Sequence, residues 1–396
     1  MSNEPNDKGI TRRDFMRYTT AAAAGAALGI PAIAEAGAPK PGPAAPKPGP
    51  AAPEPGPAAP KPGPAAPEPG AAAPKPGPAA PDPRKTRSYN EQMEYRRLGR
   101  TNLMVSVISL GGHWKKIPYS FGTAEFKKNR ADVISACIDH GINLVDIAAE
   151  EEVTTYAEAL RGRREKMYFA YSCHTREGRV KEYAGSLDKM KEGFKQGLKE
   201  AGLEYVDIWR LMLQEQTGQM NTPQEIEVVM QALDWAKAAG LARHTGISSH
   251  DRTWITEAVA KHPQLEVVVT PYTADSKEKP EGSMFDAIKK HDVGFIGIKP
   301  FASGSVFKSK GQPDSSTKEE DDQRARMVLR YVLSCDVLSA TIPGLITIDQ
   351  LKNAVAAVRE RRQFEVAEAE DYRRITSEMW ANLPPDYHWL RDWEYV

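Results

Sequence analysis

Cysteine is scarce in this 396-residue chain: Cys137, Cys173 and Cys335 are the whole set. Three cysteines exclude a disulfide scaffold, and their spacing excludes a CxxC metal knuckle. An excess of either charge is also lacking. Lys and Arg total 53, Asp and Glu total 53, and the formal net charge is zero. A general nucleic-acid or membrane-surface binder would carry a basic surplus, so neither partner is expected. The apolar stretch from Ala21 to Ile33 is short and rich in Ala and Gly, too weak for a stable membrane span. At 40% hydrophobic and 27% charged residues, the composition of the whole chain is ordinary for a soluble globular protein.

Proline is abundant, but only locally. Nineteen of the 31 prolines fall between Pro39 and Pro83. There a seven-residue unit, first seen as Pro39-Lys40-Pro41-Gly42-Pro43-Ala44-Ala45, restarts at Pro46, Pro53, Pro60, Pro67 and Pro74. Proline at this density fixes φ and removes amide donors, so helix and sheet are both excluded. The expectation for residues 37–92 is a disordered, extended spacer, whose repeat from Pro39 to Pro83 spans roughly 140 Å at full polyproline-II reach. It reads either as a reach across a cell envelope or as a tether with no specific partner.

Residues 1–36 read as an export signal. Arg12-Arg13 precedes Asp14-Phe15-Met16, the mild apolar stretch follows, and Ala34-Glu35-Ala36 is a small-x-small cleavage site. The pattern resembles a twin-arginine signal, a route that carries folded proteins. It implies an exported protein of the periplasm or cell envelope.

Residues 93–362 alternate between short apolar runs and longer amphipathic stretches. The expected strands are Val107–Leu110, Asn143–Ile147, Met167–Ser172, Ile208–Leu213, His244–Ser248, Val267–Thr270, Gly294–Ile298 and Ala340–Ile342. Between them the expected helices are Asn129–His140, Val153–Arg161, Leu187–Ala201, Pro223–Ala239, Trp254–Lys261, Met284–His291 and Asp322–Leu333, with Ile348–Val358 after the last strand. Eight strands, each followed by a helix, fit a closed (β/α)8 TIM barrel of the α/β class. An open doubly wound sheet is the competitor, and no G-x-G-x-x-G follows the first strand. Residues 363–396, with Tyr372, Trp380, Tyr387, Trp389, Trp393 and Tyr395, read as an aromatic extension of the barrel.

Several stretches resemble the aldo-keto reductase family. They are Tyr95 to Ser106, Asp139 to Asp146, Thr245-Gly246-Ile247-Ser248-Ser249-His250, Lys299-Pro300-Phe301-Ala302-Ser303-Gly304, and Ile342-Pro343-Gly344 with Gln350 and Asn353. The resemblance implies a barrel using NADP(H) to reduce the carbonyl of a small molecule. It places Ser248 and Ser249 near the nicotinamide, Phe301, Ser303 and Gly304 along the pyrophosphate, and Gly344, Gln350 and Asn353 on the adenosine side. Family members combine Asp, Tyr, Lys and His at the barrel top. Only the Asp is kept here, as Asp146. Glu151 stands at the Tyr position, Ser172 at the Lys position and Met212 at the His position. The glutamine usual on the sixth strand of the family is replaced by Thr270.

Two residues are candidates to fill the vacated roles. Glu151 would serve as the acid if burial kept it protonated; otherwise it is a solvated loop carboxylate beside Glu150 and Glu152. Arg210 shares a strand face with Met212, so it points into the barrel and needs an acidic partner. That partner is expected to be Asp146 or a glutamate of the Glu150–Glu152 run. Ligand-type residues near strand ends, among them His113, Cys173, His174 and His250, lack a metal-binding spacing, and no metal is expected. Two functions therefore stand: an oxidoreductase with a non-standard site, or an envelope protein that keeps the barrel as a catalytically silent scaffold for binding a ligand or metal.

Overall fold

The computed structural model describes residues 81–112, 117–214, 220–276, 282–310 and 315–391. The signal and almost all of the proline-rich repeat lie outside these residues.

A hairpin comes first. Strand β1 (Tyr95–Arg97) pairs antiparallel with β2 (Met104–Ser106), Tyr95 opposite Ser106. Its turn needs glycine: Gly99 has φ +50, and a Cβ there would sit 2.2 Å from the backbone nitrogen of Gly294. The hairpin drives Leu98 into the barrel floor, where it is fully buried.

Eight parallel strands follow: β3 (Leu110–Gly111), β4 (Leu144–Asp146), β5 (Tyr168–Tyr171), β6 (Val206–Met212), β7 (Ala242–Ser248), β8 (Val267–Pro271), β9 (Gly294–Ile298) and β10 (Ala340–Ile342). Each pairs with the next in sequence. The ring closes where Ile108 bridges Thr341, with Ser109 N donating to Thr341 O at 2.9 Å and Thr341 N to Val107 O at 2.8 Å. This closure rules out the open sheet. Side chains alternate along each strand. Leu144, Tyr168, Ala170, Ile208, Val267, Val269, Ile296 and Ala340 fill the interior. Val145, Phe169, Trp209, Ile247, Val268 and Phe295 face the helix layer.

The helices are α1 (Ala124–Asp139), α2 (Glu150–Ala159), α3 (Lys181–Ala184), α4 (Leu187–Ala201), α5 (Pro223–Ala238), α6 (Arg252–Lys261), α7 (Met284–His291), α8 (Lys318–Leu333), α9 (Ile348–Arg359) and α10 (Val366–Ala381). Capping residues set many of their starts. Thr123, Ser186, Thr222, Asp251, Ser283 and Thr347 each accept an orphan amide of the first turn. Helices α1, α2 and α8 begin several residues earlier than the apolar periodicity predicts. Their first turns are polar, and acidic side chains there suit the positive end of the helix. Helices α3 and α10 were not anticipated. Among the described residues no helix is long and apolar enough to cross a membrane.

The spacer boundary at residue 92 requires correction, because residues 82–92 carry contacts to the barrel. Thr86 Oγ1 donates to Met104 O at 2.5 Å, and Arg87 pairs with the buried Asp207 at 2.8 and 2.9 Å. Arg164 joins the same carboxylate at 2.8 Å. An almost fully buried Asp207 requires these cations, and they fasten the incoming chain. At the other end α10 packs against the loop after β8, where Trp380 Nε1 donates to Asp275 at 3.0 Å.

Candidate functional site

Alternation along the strands directs Asp146, Ser172, Arg210, Met212 and Ser248 inward at the C-terminal ends of β4 to β7. Asp146 and Arg210 meet there. Arg210 Nε and Nη2 donate to the two carboxylate oxygens at 2.6 and 2.7 Å, and Nη2 also donates to Ile147 O at 2.9 Å. The two side chains are 6% and 3% exposed, so the pair is effectively dry. Burial alone pulls the guanidinium pKa down. The charge and hydrogen bonds of Asp146 outweigh it, with Glu177 and Glu152 adding, and the pKa ends above its ordinary value. Arg210 Nη1 is buried without a hydrogen-bond partner among the described residues.

The neighbouring group is one the sequence did not disclose. Ser172 Oγ is hydrogen-bonded to the carboxyl of Glu177, and Cys173 N donates to the other carboxyl oxygen at 3.0 Å. Glu177 is only 1% exposed. The loop after β5 folds it back through tight turns, Arg176 N to Cys173 O at 2.9 Å and Val180 N to Glu177 O at 2.8 Å. Gly178 lets this loop press on β6, since a Cβ there would lie 2.7 Å from Met212 O. Burial raises the Glu177 pKa to about 7, against the hydrogen bonds from Ser172 and Cys173 and the charges of Arg210 and Arg179. The signal available in sequence was small: a glutamate next to a glycine, five residues beyond the Lys position.

The acidic triplet divides its roles. Glu150 pairs with Arg176 at 2.5 Å at the surface. Glu152 is buried and accepts Ala148 N at 2.8 Å and Ala149 N at 3.2 Å, bracing the turn into α2. It also fills the space above Gly112, where a Cβ would lie 1.9 Å from its carboxyl carbon. Glu151 is only half-buried. The burial its role as acid required belongs to Glu152 and Glu177 instead. Tyr156 points back into the barrel wall, its hydroxyl donating to Gly111 O at 2.7 Å.

The residues expected around a cofactor separate into two groups. Ser248 is buried at the inner end of β7, and Phe301, Ser303 and Gly304 lie on the loop after β9. That loop is tightly coiled, with Lys299, Ala302 and Ser303 at φ 58, 43 and 59. Phe301 packs on Phe307, ring centroids 4.8 Å apart. Gly344 is exposed at φ 77. The others are committed elsewhere. Ser249 Oγ donates to Gln214 O and accepts Asp251 N, both at 3.1 Å. Gln350 closes the capping box of α9, accepting Ile346 N at 2.9 Å and Thr347 N at 3.3 Å. Asn353 accepts Arg326 at 2.6 Å and donates to Asp322 O at 2.9 Å, tying α9 to α8. The Gln350 carbonyl and both ends of the Asn353 amide thus serve helix contacts. Thr270 faces the helix layer with Val268, while Val269 faces inward.

His250 was expected only as a ligand-type residue. It is buried after β7, its ring stacked 4.3 Å from Trp389 of the C-terminal segment Pro385–Arg391, with Nε2 3.4 Å from Lys299 Nζ. Burial, then the charges of Lys299 and Arg179, hold its pKa well below the usual value, so the ring is neutral. Its Nδ1 is buried without a hydrogen-bond partner among the described residues. Among those residues no three His, Cys, Asp or Glu side chains converge as a metal site.

The model of the aldo/keto reductase family matches residues 109–376. A probable voltage-gated potassium channel subunit beta of Arabidopsis thaliana is 27% identical over 224 residues, 54% of this chain. The match spans 65% of that relative's length, and the same share of a rice counterpart. An L-glyceraldehyde 3-phosphate reductase of Escherichia coli is 24% identical over 259 residues, covering 59% of this chain and 70% of that enzyme. Among solved structures, an aldo-keto reductase of Bacillus halodurans in its holo form superposes with a TM-score of 0.54 at 23% identity, covering 72% of this chain and 96% of that one. One from Klebsiella pneumoniae in complex with NADPH gives 0.55 at 18%, covering 74% and 96%.

Proposed function

Because this chain belongs to the aldo/keto reductase family, we propose that it is an oxidoreductase interconverting a small-molecule carbonyl and its alcohol with NADP(H), through a rebuilt site. The observation that carries this reading is the buried polar cluster Asp146–Arg210 with Ser172–Glu177 at the barrel mouth. Such a cluster is costly to bury, and buried groups with perturbed titration gather at functional sites.

The inner end of the site suits a polar ligand. Arg210 Nη1 and His250 Nδ1 are buried without a hydrogen-bond partner among the described residues, and Ser248 is buried at the end of β7. A bound NADPH would supply a hydride. Ser248 and His250 would hold its nicotinamide end, and Phe301, Ser303 and Gly304 its pyrophosphate. Asp146 keeps Arg210 fixed, and Arg210 supplies positive potential without titrating. At the outer end Gln350 and Asn353 are engaged in helix contacts. That observation favours the second reading, a ligand-binding scaffold without turnover.

Titrating the protein with NADPH by nicotinamide fluorescence, then adding a panel of small aldehydes and ketones, separates the two. Binding followed by carbonyl-dependent oxidation supports the reductase. No binding at high micromolar NADPH removes it. The export signal is part of the proposal as well. Replacing Arg12 and Arg13 by Lys should retain the protein in the cytoplasm, and unchanged export would refute the twin-arginine reading.

A further inference from the structure

We propose that Glu177 is the proton donor of this site and that Ser172 passes its proton toward the barrel axis. The inference rests on the oxidoreductase reading and names its acid.

The other acidic groups are already engaged. Asp146 is held as an ion pair by Nε and Nη2 of Arg210. Glu152 accepts two backbone amides and braces α2. Glu150 pairs with Arg176, and Glu151 is only half-buried. Tyr156 gives its proton to a backbone carbonyl. Cys173 lies on the outward phase of β5, and burial pushes its thiol up to about 11. His250 is neutral and cannot donate as an imidazolium.

Glu177 differs from all of these. Its carboxyl is buried at the end of β5 and touches the one hydroxyl that faces inward there. The groups around it are Ser172, the Cys173 amide and thiol, Arg210 and Arg179, with Tyr171 nearby. Burial raises its pKa, and the hydrogen bonds and the two arginines hold that rise to about 7, so it can both hold and release a proton near neutrality. A protonated Glu177 donates to Ser172 Oγ, which frees the serine hydrogen to point inward.

The step balances as follows. A carbonyl carbon gains a hydride, with its electron pair, from reduced nicotinamide, and the C=O π bond breaks. The carbonyl oxygen takes the Ser172 proton as Ser172 takes that of Glu177. The products are the alcohol, oxidised nicotinamide and a Glu177 carboxylate, which regains a proton from water.

The test uses the full chain and Glu177→Gln, which keeps the side-chain shape and an acceptor for Cys173 N. Carboxyl infrared titration of the cofactor-free protein should show a protonated buried carboxyl that is lost with a midpoint near 7 and is missing from E177Q. With NADPH and a panel of small aldehydes, E177Q should lose about 10²–10⁴-fold in kcat while NADPH affinity changes less than about twofold. Wild-type kcat should fall as pH rises through the same midpoint, with a flat profile for the residual E177Q rate. Ser172→Ala should reproduce the kcat loss without removing the infrared signal. Full turnover by E177Q, or no titrating carboxyl near neutrality, overturns the role of Glu177 and leaves the reductase reading intact. A wild-type chain that binds no NADPH overturns both.

Discussion

Arg210→Met should destabilise the barrel strongly, and increasingly so as pH rises. The substitution removes two hydrogen bonds to Asp146, at 2.6 and 2.7 Å, and one to Ile147 O at 2.9 Å. It leaves behind a carboxylate whose side chain is 6% exposed. Breaking a buried pair by deleting one partner costs about 3–5 kcal/mol. The orphaned Asp146 can avoid part of that cost by taking up a proton. The folded-state pKa is then raised above the unfolded value, so the folded state binds more protons. Stability is retained at low pH and lost as pH rises, by up to about 1.4 kcal/mol per pH unit. Urea unfolding of wild type and R210M from pH 5 to 8 measures both quantities. The double variant Asp146→Asn with Arg210→Met should recover most of the loss, because no buried charge remains. An R210M chain within about 0.5 kcal/mol of wild type, or one with a pH-independent deficit, would refute the account of a dry ion pair.

Three further outcomes follow from the contacts described. The Glu177 pKa is raised from 4.5 to about 7, so its contribution to stability is present below pH 4.5 and lost as pH rises to 7, about 3 kcal/mol in total; urea melts of E177Q should lack that decline. Asp207→Asn leaves Arg87 and Arg164 without their shared carboxylate and should cost about 3 kcal/mol, read as accelerated trypsin cleavage at Arg84 and Arg87. Gln350→Ala should cost about 1 kcal/mol through loss of the α9 capping box and leave NADPH affinity unchanged by fluorescence titration; a large affinity loss would return Gln350 to the cofactor site.

The barrel was legible because its signals are local. Runs such as Val267-Val268-Val269 declare strands, and polar stretches with apolar periodicity declare helices. The Arg210–Asp146 pair was also legible, at least as a choice between partners. Strand alternation put Arg210 inside, and a charge inside must find its opposite. Glu151 is only half-buried for a reason of phase. Helix α2 starts at Glu150, not Val153, and each residue turns about 100°, so the buried face falls on Glu152. Gln350 was open to local reading: Thr347-x-x-Gln350 is a capping box, and the family resemblance obscured it. Glu177 was beyond reach. Its burial depends on Gly178 touching the end of β6, a contact between segments more than thirty residues apart in sequence.

In the rebuilt site proposed above, the departures from the family pattern are physically coupled. An inward arginine on β6 supplies the fork that binds both oxygens of Asp146, so a lysine from β5 has no carboxylate left to meet. A second buried cation beside Arg210 would be repelled and unpaired. Serine at position 172 removes that cation and vacates its volume, and the Glu177 carboxyl occupies the space against the Ser172 hydroxyl. The exchange also changes the kind of acid the site can use. A tyrosine, with an ordinary pKa near 10, needs a nearby cation to release its proton at neutral pH. A buried carboxylic acid reaches the same range from below, because burial alone raises it. The hydrogen bonds from Ser172 and Cys173, with the charge of Arg210, keep that rise moderate. The ion pair and the acid are therefore one device: the first sets the field in which the second titrates.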